Sequence, residues 1–257
     1  MPDFSQRSNE TELMDEENIS FEEFHDCLIG LERINHLTLA YRPTLQWLRP
    51  FLKTSERLYI LDAATGGGDM LRKIARNWPA TFSANEACRM VGVDLNPWSK
   101  RSAEYASDSF AMSSPAIPSS VITYATANIF EFEPDQPIDI VISSLFTHHL
   151  TDVQIVDFLR WMDSRVRKGW FINDLHRHPI PYYFIKGATT LFSRNRLIRN
   201  DAAVSVARAF TVADWQRLVH EAGLTGRVRI QWFFPFRLCL SCNKESGKKH
   251  SRHCDER

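Results

Sequence analysis

The chain of 257 residues is short of glycine, has no long apolar run and carries no excess of either charge. Each shortage excludes something. No stretch approaches the ~18 consecutive apolar residues that a membrane span needs. Lys+Arg and Asp+Glu both number 31, so the strong net charge of a dedicated polyanion binder is missing. The acidic, serine-bearing start has the composition of neither a secretory signal nor a transit peptide. The five cysteines, Cys27, Cys88, Cys239, Cys242 and Cys254, are odd in number and form no paired disulfide framework. A reduced, cytoplasmic setting is therefore expected.

What is present is unevenly spread. Residues 1–26 hold nine acids and one base, Arg7, whereas residues 160–210 hold ten bases and three acids. A neutral total thus conceals a basic segment. Of the ten glycines, three stand together at Gly66-Gly67-Gly68.

Residues 1–20 are expected to form a mobile acidic leader, and residues 243–257 a flexible basic tail. Between them a single domain, 21–242, is expected, since its 44% hydrophobic composition supports one core. Apolar spacing at Phe24, Leu28, Leu31, Ile34 and Leu37 predicts two helices over 21–52. A beat of strand and helix follows. Strands are predicted at Leu58–Asp62, Met90–Asp94, Val121–Ala125, Ile138–Ser143 and Trp170–Asn173. Helices are predicted at Met70–Trp78, from about Pro97 to Tyr105, and at Val153–Val166, with a Ser/Pro loop over Ser107–Ser120. Short apolar strands alternating with helices imply parallel βαβ units, hence an α/β fold. After a helix near Val212–Ala222, Arg227–Phe233 and Phe236–Cys242 are joined too tightly to be anything but antiparallel.

Cys239-Leu-Ser-Cys242 with His250, His253 and Cys254 invites a zinc reading. Within a strand, however, residues three apart point to opposite faces, so no metal site is expected there.

In an open parallel sheet, ligands bind beyond the carboxyl ends of the strands. Asp62-Ala-Ala-Thr-Gly-Gly-Gly-Asp69 lies there after the first strand, and its glycines let backbone turn tightly beside a ligand. Asp94, ending the second strand, suits a ribose diol. A nucleoside-containing cofactor is expected. A dinucleotide loop needs a third glycine for close packing, where this chain has Leu71, and Asp69 would face a pyrophosphate with like charge. A cationic sulfonium cofactor meets neither objection.

These residues resemble the class I S-adenosylmethionine-dependent methyltransferases. Leu61-Asp-Ala-Ala-Thr-Gly-Gly-Gly68 is similar to their glycine loop, with Ala64 at its first glycine. Val91-Gly-Val-Asp-Leu-Asn96 is similar to the strand bearing the ribose-binding acid, and Thr126-Ala-Asn-Ile129 to the adenine segment, with Asn128 for the usual Asp. Asp139-Ile-Val-Ile-Ser-Ser-Leu-Phe-Thr-His-His-Leu150 resembles the fourth motif of the ubiquinone/menaquinone-type branch. The resemblance implies a Rossmann-like, mostly parallel sheet with a reversed C-terminal hairpin, N-terminal helices and a helical lid. It also implies S-adenosylmethionine as cofactor. Asp62, Gly66 and Gly68 would hold its methionine part, Asp94 its ribose, Leu95, Asn128 and Ile129 its adenine, while Ser143 and Ser144 would border the substrate mouth.

Methyl transfer to a hydroxyl requires a proton acceptor, and histidine suits that task. His148 and His149, just beyond the fourth strand, are the candidates; Asp174 and His176 are weaker ones. Segment 174–208 is long for a connection and rich in apolar residues, so it predicts a lid over a small lipophilic or aromatic acceptor. Its Arg194, Arg196 and Arg199 are expected to meet an acidic acceptor or an anionic membrane surface, or simply water. Three rival readings are an RNA methyltransferase, a non-catalytic binding protein of the same fold, and an NAD-dependent enzyme. The first lacks an Asn/Asp-Pro-Pro-Tyr-like segment and an RNA-binding module; the last is disfavoured by Leu71.

Overall fold

The computed structural model describes residues 3–15, 19–54, 57–78, 88–113 and 119–244. Leu58–Ala63 (β1) is buried along its whole length, as a strand covered on both faces must be. It lies between Cys88–Asp94 (β2) and Ile140–Ser144 (β4), with Ile122–Thr126 (β3) outside β2 and Gly169–Leu175 (β5) beyond β4. These five strands run parallel. Arg229–Phe233 (β6) and Arg237–Asn243 (β7) close the sheet, β7 antiparallel to both β5 and β6. The order β3-β2-β1-β4-β5-β7-β6 puts the switch point between β1 and β4, so their carboxyl ends open a crevice.

Alternate residues of each strand serve opposite faces. Leu61, Trp170 and Ile172 join one core with Phe158 and Leu159 of helix α5 (Asp152–Arg165) and Trp215 and Leu218 of helix α8 (Val212–Glu221). Leu58, Ile60 and Phe171 join the other. It is covered by α2 (Arg42–Thr54), α3 (Asp69–Asn77) and α4 (Pro97–Ser113). Cys239 belongs to the second core and Cys242 to the first. The two thiols therefore stand on opposite faces, as strand geometry requires. His250, His253 and Cys254 lie outside the described residues, as does most of the expected basic tail.

Helix α1 (Phe21–Leu37) starts where the Ser20 hydroxyl accepts from the Glu23 backbone N–H, with Glu22 and Glu23 in its first turn. Helices α6 (Pro179–Phe192) and α7 (Arg196–Arg208) form the insertion after β5; Asn195 caps α7 through bonds from Leu197 and Ile198 N–H. No helix among the described residues is long and apolar enough to cross a membrane.

Two expectations are corrected. Helix α4 continues through Ser107 to Ser113 instead of giving way to a loop, because Phe110 is buried and Ser107 bonds Tyr124 at 2.9 Å. Tertiary contact outweighs the modest helix propensity of serine; only 114–118 of the expected loop lie outside the described residues. Residues 3–15, expected to be mobile, are docked. Arg7 donates to the carbonyls of Arg208, His148 and Leu150 and to Asp152, and its guanidinium lies 4.0 Å over the Phe210 ring. One base thus anchors an otherwise acidic segment.

Candidate active site

The β1–α3 loop turns on backbone that side chains resist. Ala64, Gly66 and Gly68 have φ of 59°, 53° and 72°, all in the left-handed region. Ala64 therefore occupies a conformation that glycine prefers. A Cβ on Gly68 would stand 2.4 Å from the Tyr124 hydroxyl oxygen. Arg72 of α3 clamps the loop by donating to the Gly67 carbonyl at 2.5 Å and to Glu32 of α1 at 2.9 Å.

Asp94, ending β2, accepts from Gly66 N–H at 2.8 Å and from Asn96 N–H at 2.9 Å. Burial raises its pKa, opposed by these bonds. Leu95 beside it is largely exposed over the opening. A cavity of about 750 Å³ runs from here to the lid, well within the size of a small-molecule site. Asp94, Leu95, Gly66, Ser144, His148 and His149 are on its wall.

Other expected residues sit apart from that wall. Ser143 is buried and donates to the Ala63 carbonyl at 3.1 Å, fastening β4 to β1. Ile129 is packed in the core of the α5 face. Asn128 accepts from Phe130 N–H and donates to Glu131, so both ends of its amide are engaged. His176 stacks on His178 at 5.7 Å between ring centroids.

A smaller cavity of about 40 Å³ adjoins the loop, and Asp62, Asp69, Asn35 and Arg237 face it. Asp62 accepts from the Thr65 hydroxyl through one oxygen, while the other is buried without a partner. Burial pushes this carboxyl up to about 8, with Asp69 and Asp94 adding to the rise. Asp69 accepts from Tyr41 at 2.6 Å and Asn35 at 3.3 Å. Arg237, buried at the start of β7, donates to the Asn35 side-chain oxygen Oδ1 at 3.5 Å. Opposite charges thus flank one small space with Asn35 bridging them. Asn35 and Arg237 were not singled out from the sequence, and Asp69 entered there only as a charge unfavourable to a pyrophosphate. An Arg opening an apolar strand was the available signal for Arg237.

At the lid end, His148 is fully buried between two carboxylates. Its Nδ1 is 2.7 Å from Asp174 Oδ1, and its Nε2 is 3.4 Å from Glu12 Oε1. Burial alone would lower its pKa, but Asp174 and Glu12 raise it to about 9. Asp174 also accepts from the Thr147 hydroxyl and from His148 and Leu175 N–H, and beside the imidazolium its pKa falls far below the carboxylate range despite burial. His149, more exposed, holds Asp15 through Nδ1 at 3.0 Å and faces Glu12 with Nε2 at 3.7 Å. Glu12 in turn accepts from Ser205 of α7 at 2.8 Å. The leader therefore supplies the acid between the two histidines, a role no local sequence pattern foretold. Elsewhere this end is apolar, with Phe24 and Leu28 of α1 and Phe184 and Ile185 of α6 on the wall. Of the lid arginines, Arg196 pairs with Glu23 at 2.6 Å.

Residues 35–227 match a protein family described as a methyltransferase domain. No curated protein matches the chain. Among solved structures, it is similar to the magnesium protoporphyrin IX methyltransferase of Synechocystis with bound SAH (14% identity, 82% of this chain and 84% of that one, TM-score 0.54). It is also similar to the plantazolicin methyltransferase in complex with a monoazolic desmethyl analog and SAH (13% identity, 87% and 89%, TM-score 0.60). A third is human N-acetylserotonin methyltransferase in complex with SAM (14% identity, TM-score 0.57), where the match covers 88% of this chain but 56% of that one.

Proposed function

The chain belongs to the methyltransferase-domain family, and from that premise we propose that it methylates a small, lipophilic or aromatic acceptor on oxygen or carbon, with S-adenosylmethionine as donor. The observation that carries this reading is the small cavity beside the glycine loop. Its orphaned Asp62 oxygen, Asp69 and buried Arg237 match the ammonium and carboxylate of an amino-acid end. Asp94 faces the ribose hydroxyls with the lone pairs left free by Gly66 and Asn96. Leu95 and Trp98, both on the cavity wall, cover adenine. Asn128, bonded to Glu131 and Phe130, and Ile129, packed in the core, stand apart from the cavity wall.

The cofactor supplies, when bound, a methyl group on a positively charged sulfur. The cavity walls would align an acceptor atom with that methyl carbon, sulfur would keep the electron pair of the broken C–S bond, and the residues at the lid end would receive the acceptor proton. Alignment and exclusion of water dominate such a step. The apolar wall of Phe24, Leu28, Phe184 and Ile185 excludes water, and the Glu12–His148–His149 group is where the proton departs. His148, locked by Asp174, positions this group, while His149 is the member open to the cavity. Exposed apolar residues on α6, namely Ile180, Tyr183, Leu191 and Phe192, favour an acceptor delivered from a lipid surface.

Calorimetric titration tests the cofactor reading. S-adenosylhomocysteine should bind with one-to-one stoichiometry and NAD should not; the reverse pattern would overturn it. Turnover with phenolic and quinol acceptors, tracked by mass gain of one methyl group, tests the acceptor class.

A further inference from the structure

We propose that Glu12, His148 and His149 form a binding site for one divalent transition-metal ion of the zinc type, open to the acceptor end of the cavity. This inference rests on the methyltransferase reading only for what the ion would do there.

One Glu12 carboxylate oxygen and one ring nitrogen each from His148 and His149 lie within 4.8 Å of one another. The Nε2–carboxylate separations, 3.4 and 3.7 Å, are long for charge-assisted hydrogen bonds. The first, from His148 to Glu12 Oε1, falls within the edge of a tetrahedron around a zinc-type ion, about 3.3–3.6 Å for metal–ligand bonds of about 2.0–2.2 Å, and the second, from His149 to Oε2, slightly exceeds it. Two imidazoles and one carboxylate form the ligand set of an open zinc site, and two nitrogen donors disfavour calcium and magnesium.

The outer contacts are an independent observation. A metal-bound histidine usually gives its other ring N–H to a carboxylate, which fixes the tautomer and the ring. Both rings do so here: His148 Nδ1 is held by Asp174, and His149 Nδ1 by Asp15. Both Nε2 atoms are thereby turned toward the same glutamate. Ser205 holds Glu12 from α7. Three carboxylates surround two rings, while the adjacent guanidiniums of Arg7 and Arg208 are engaged by backbone carbonyls of residues 148–150 and by Asp152. In the absence of an ion the His148 imidazolium meets part of this negative charge, and an ion binding there would take the place of its Nε2 proton. A bound ion would polarise an acceptor hydroxyl and assist loss of its proton. It would also tie the leader to the sheet, since Glu12 comes from the leader and the histidines follow β4.

The test is metal binding by the full-length protein. Cobalt(II) should bind with one equivalent per chain and give the visible spectrum of a four- or five-coordinate nitrogen/oxygen site, and zinc should displace it. Glu12→Ala and His149→Ala should lower affinity at least 100-fold. Asp15→Asn, a conservative change at a partly exposed contact, should lower it about 10–100-fold. A full-length variant with His250, His253 and Cys254 all replaced by Ala should retain the site. No cobalt bound at millimolar concentration, equal affinity in Asp15→Asn and wild type, or loss of the ion with the tail substitutions would overturn the proposal. S-adenosylhomocysteine affinity of the same samples separates the two readings. If it binds while cobalt does not, only the metal site fails; if cobalt binds alone, the methyltransferase reading fails.

Discussion

Replacing Gly66, Gly67 and Gly68 singly with Ala should give three different results, because the three positions differ in backbone and surroundings. At Gly67 the φ is ordinary and the nearest atom to a new Cβ is 3.6 Å away on Leu28. Alanine there restricts mainly the unfolded chain, so stability should be unchanged or rise by ~0.4–1 kcal/mol. At Gly66 a Cβ also meets Leu28 at 3.6 Å, but φ is +53°. Left-handed alanine costs ~1–2 kcal/mol, partly offset by the same unfolded-state term, leaving ~0–1.5 kcal/mol lost. At Gly68 φ is +72°, and Cβ would stand 2.4 Å from the Tyr124 oxygen and 2.7 Å from two ring carbons. The ring must move and give up its bond to Ser107. Overpacking adds ~1–3 kcal/mol to the backbone penalty, for a total of ~2–5 kcal/mol. Urea midpoints converted with a common m-value measure all three. Equal shifts at the three positions, or a loss at Gly67 as large as that at Gly68, would refute the reasoning.

Three further outcomes are expected. Asp62, raised to about 8 by burial, binds a proton in the folded state that the unfolded chain releases above ~4. Its contribution to stability therefore falls as pH rises from ~4 to ~8, and wild type should lose stability relative to Asp62→Asn between ~pH 5 and ~pH 8; parallel pH profiles in denaturant melts would refute it. Arg237→Gln should weaken S-adenosylhomocysteine binding by ~1.5–3 kcal/mol, the size of a charged hydrogen bond, and calorimetry giving wild-type affinity would remove Arg237 from the cofactor site. Arg7→Ala, which deletes four hydrogen-bonded contacts and a ring contact, should expose residues 3–15 to rapid hydrogen exchange while the β1 amides stay protected; unchanged exchange in the leader would show that Arg7 is not its anchor.

The strands were legible because buried parallel strands read as short apolar runs, and the Phe234-Pro235 connection left a single orientation for the last pair. Asp94 and Ser144 lie on the cavity wall, since strand ends determine where they stand. The lid end of the cavity was not legible. Glu12 meets His148 and His149 across more than 130 residues, and no periodicity links them. Nor could pattern distinguish Ser143 from Ser144. Alternation along β4 assigns one to the core and the other to the wall, but which is which depends on register against β1. The leader misled for a related reason. Its acidity is that of a solvated tail, and only the docking of Arg7, Glu12 and Asp15 accounts for its order.

That docking bears on the order in which the molecule can be made. Arg7 leaves the ribosome long before its partners, for it bonds the carbonyl of a residue 201 positions later. The parallel strands can collapse as their helices emerge, yet the wall bearing Glu12 has to wait until α7 exists. Contacts of such long sequence separation form late and slowly. The small cavity beside the glycine loop has to wait longer still, until β7 brings Arg237 opposite Asp69, so both ends of the pocket are completed by contacts between early and late segments of the sequence.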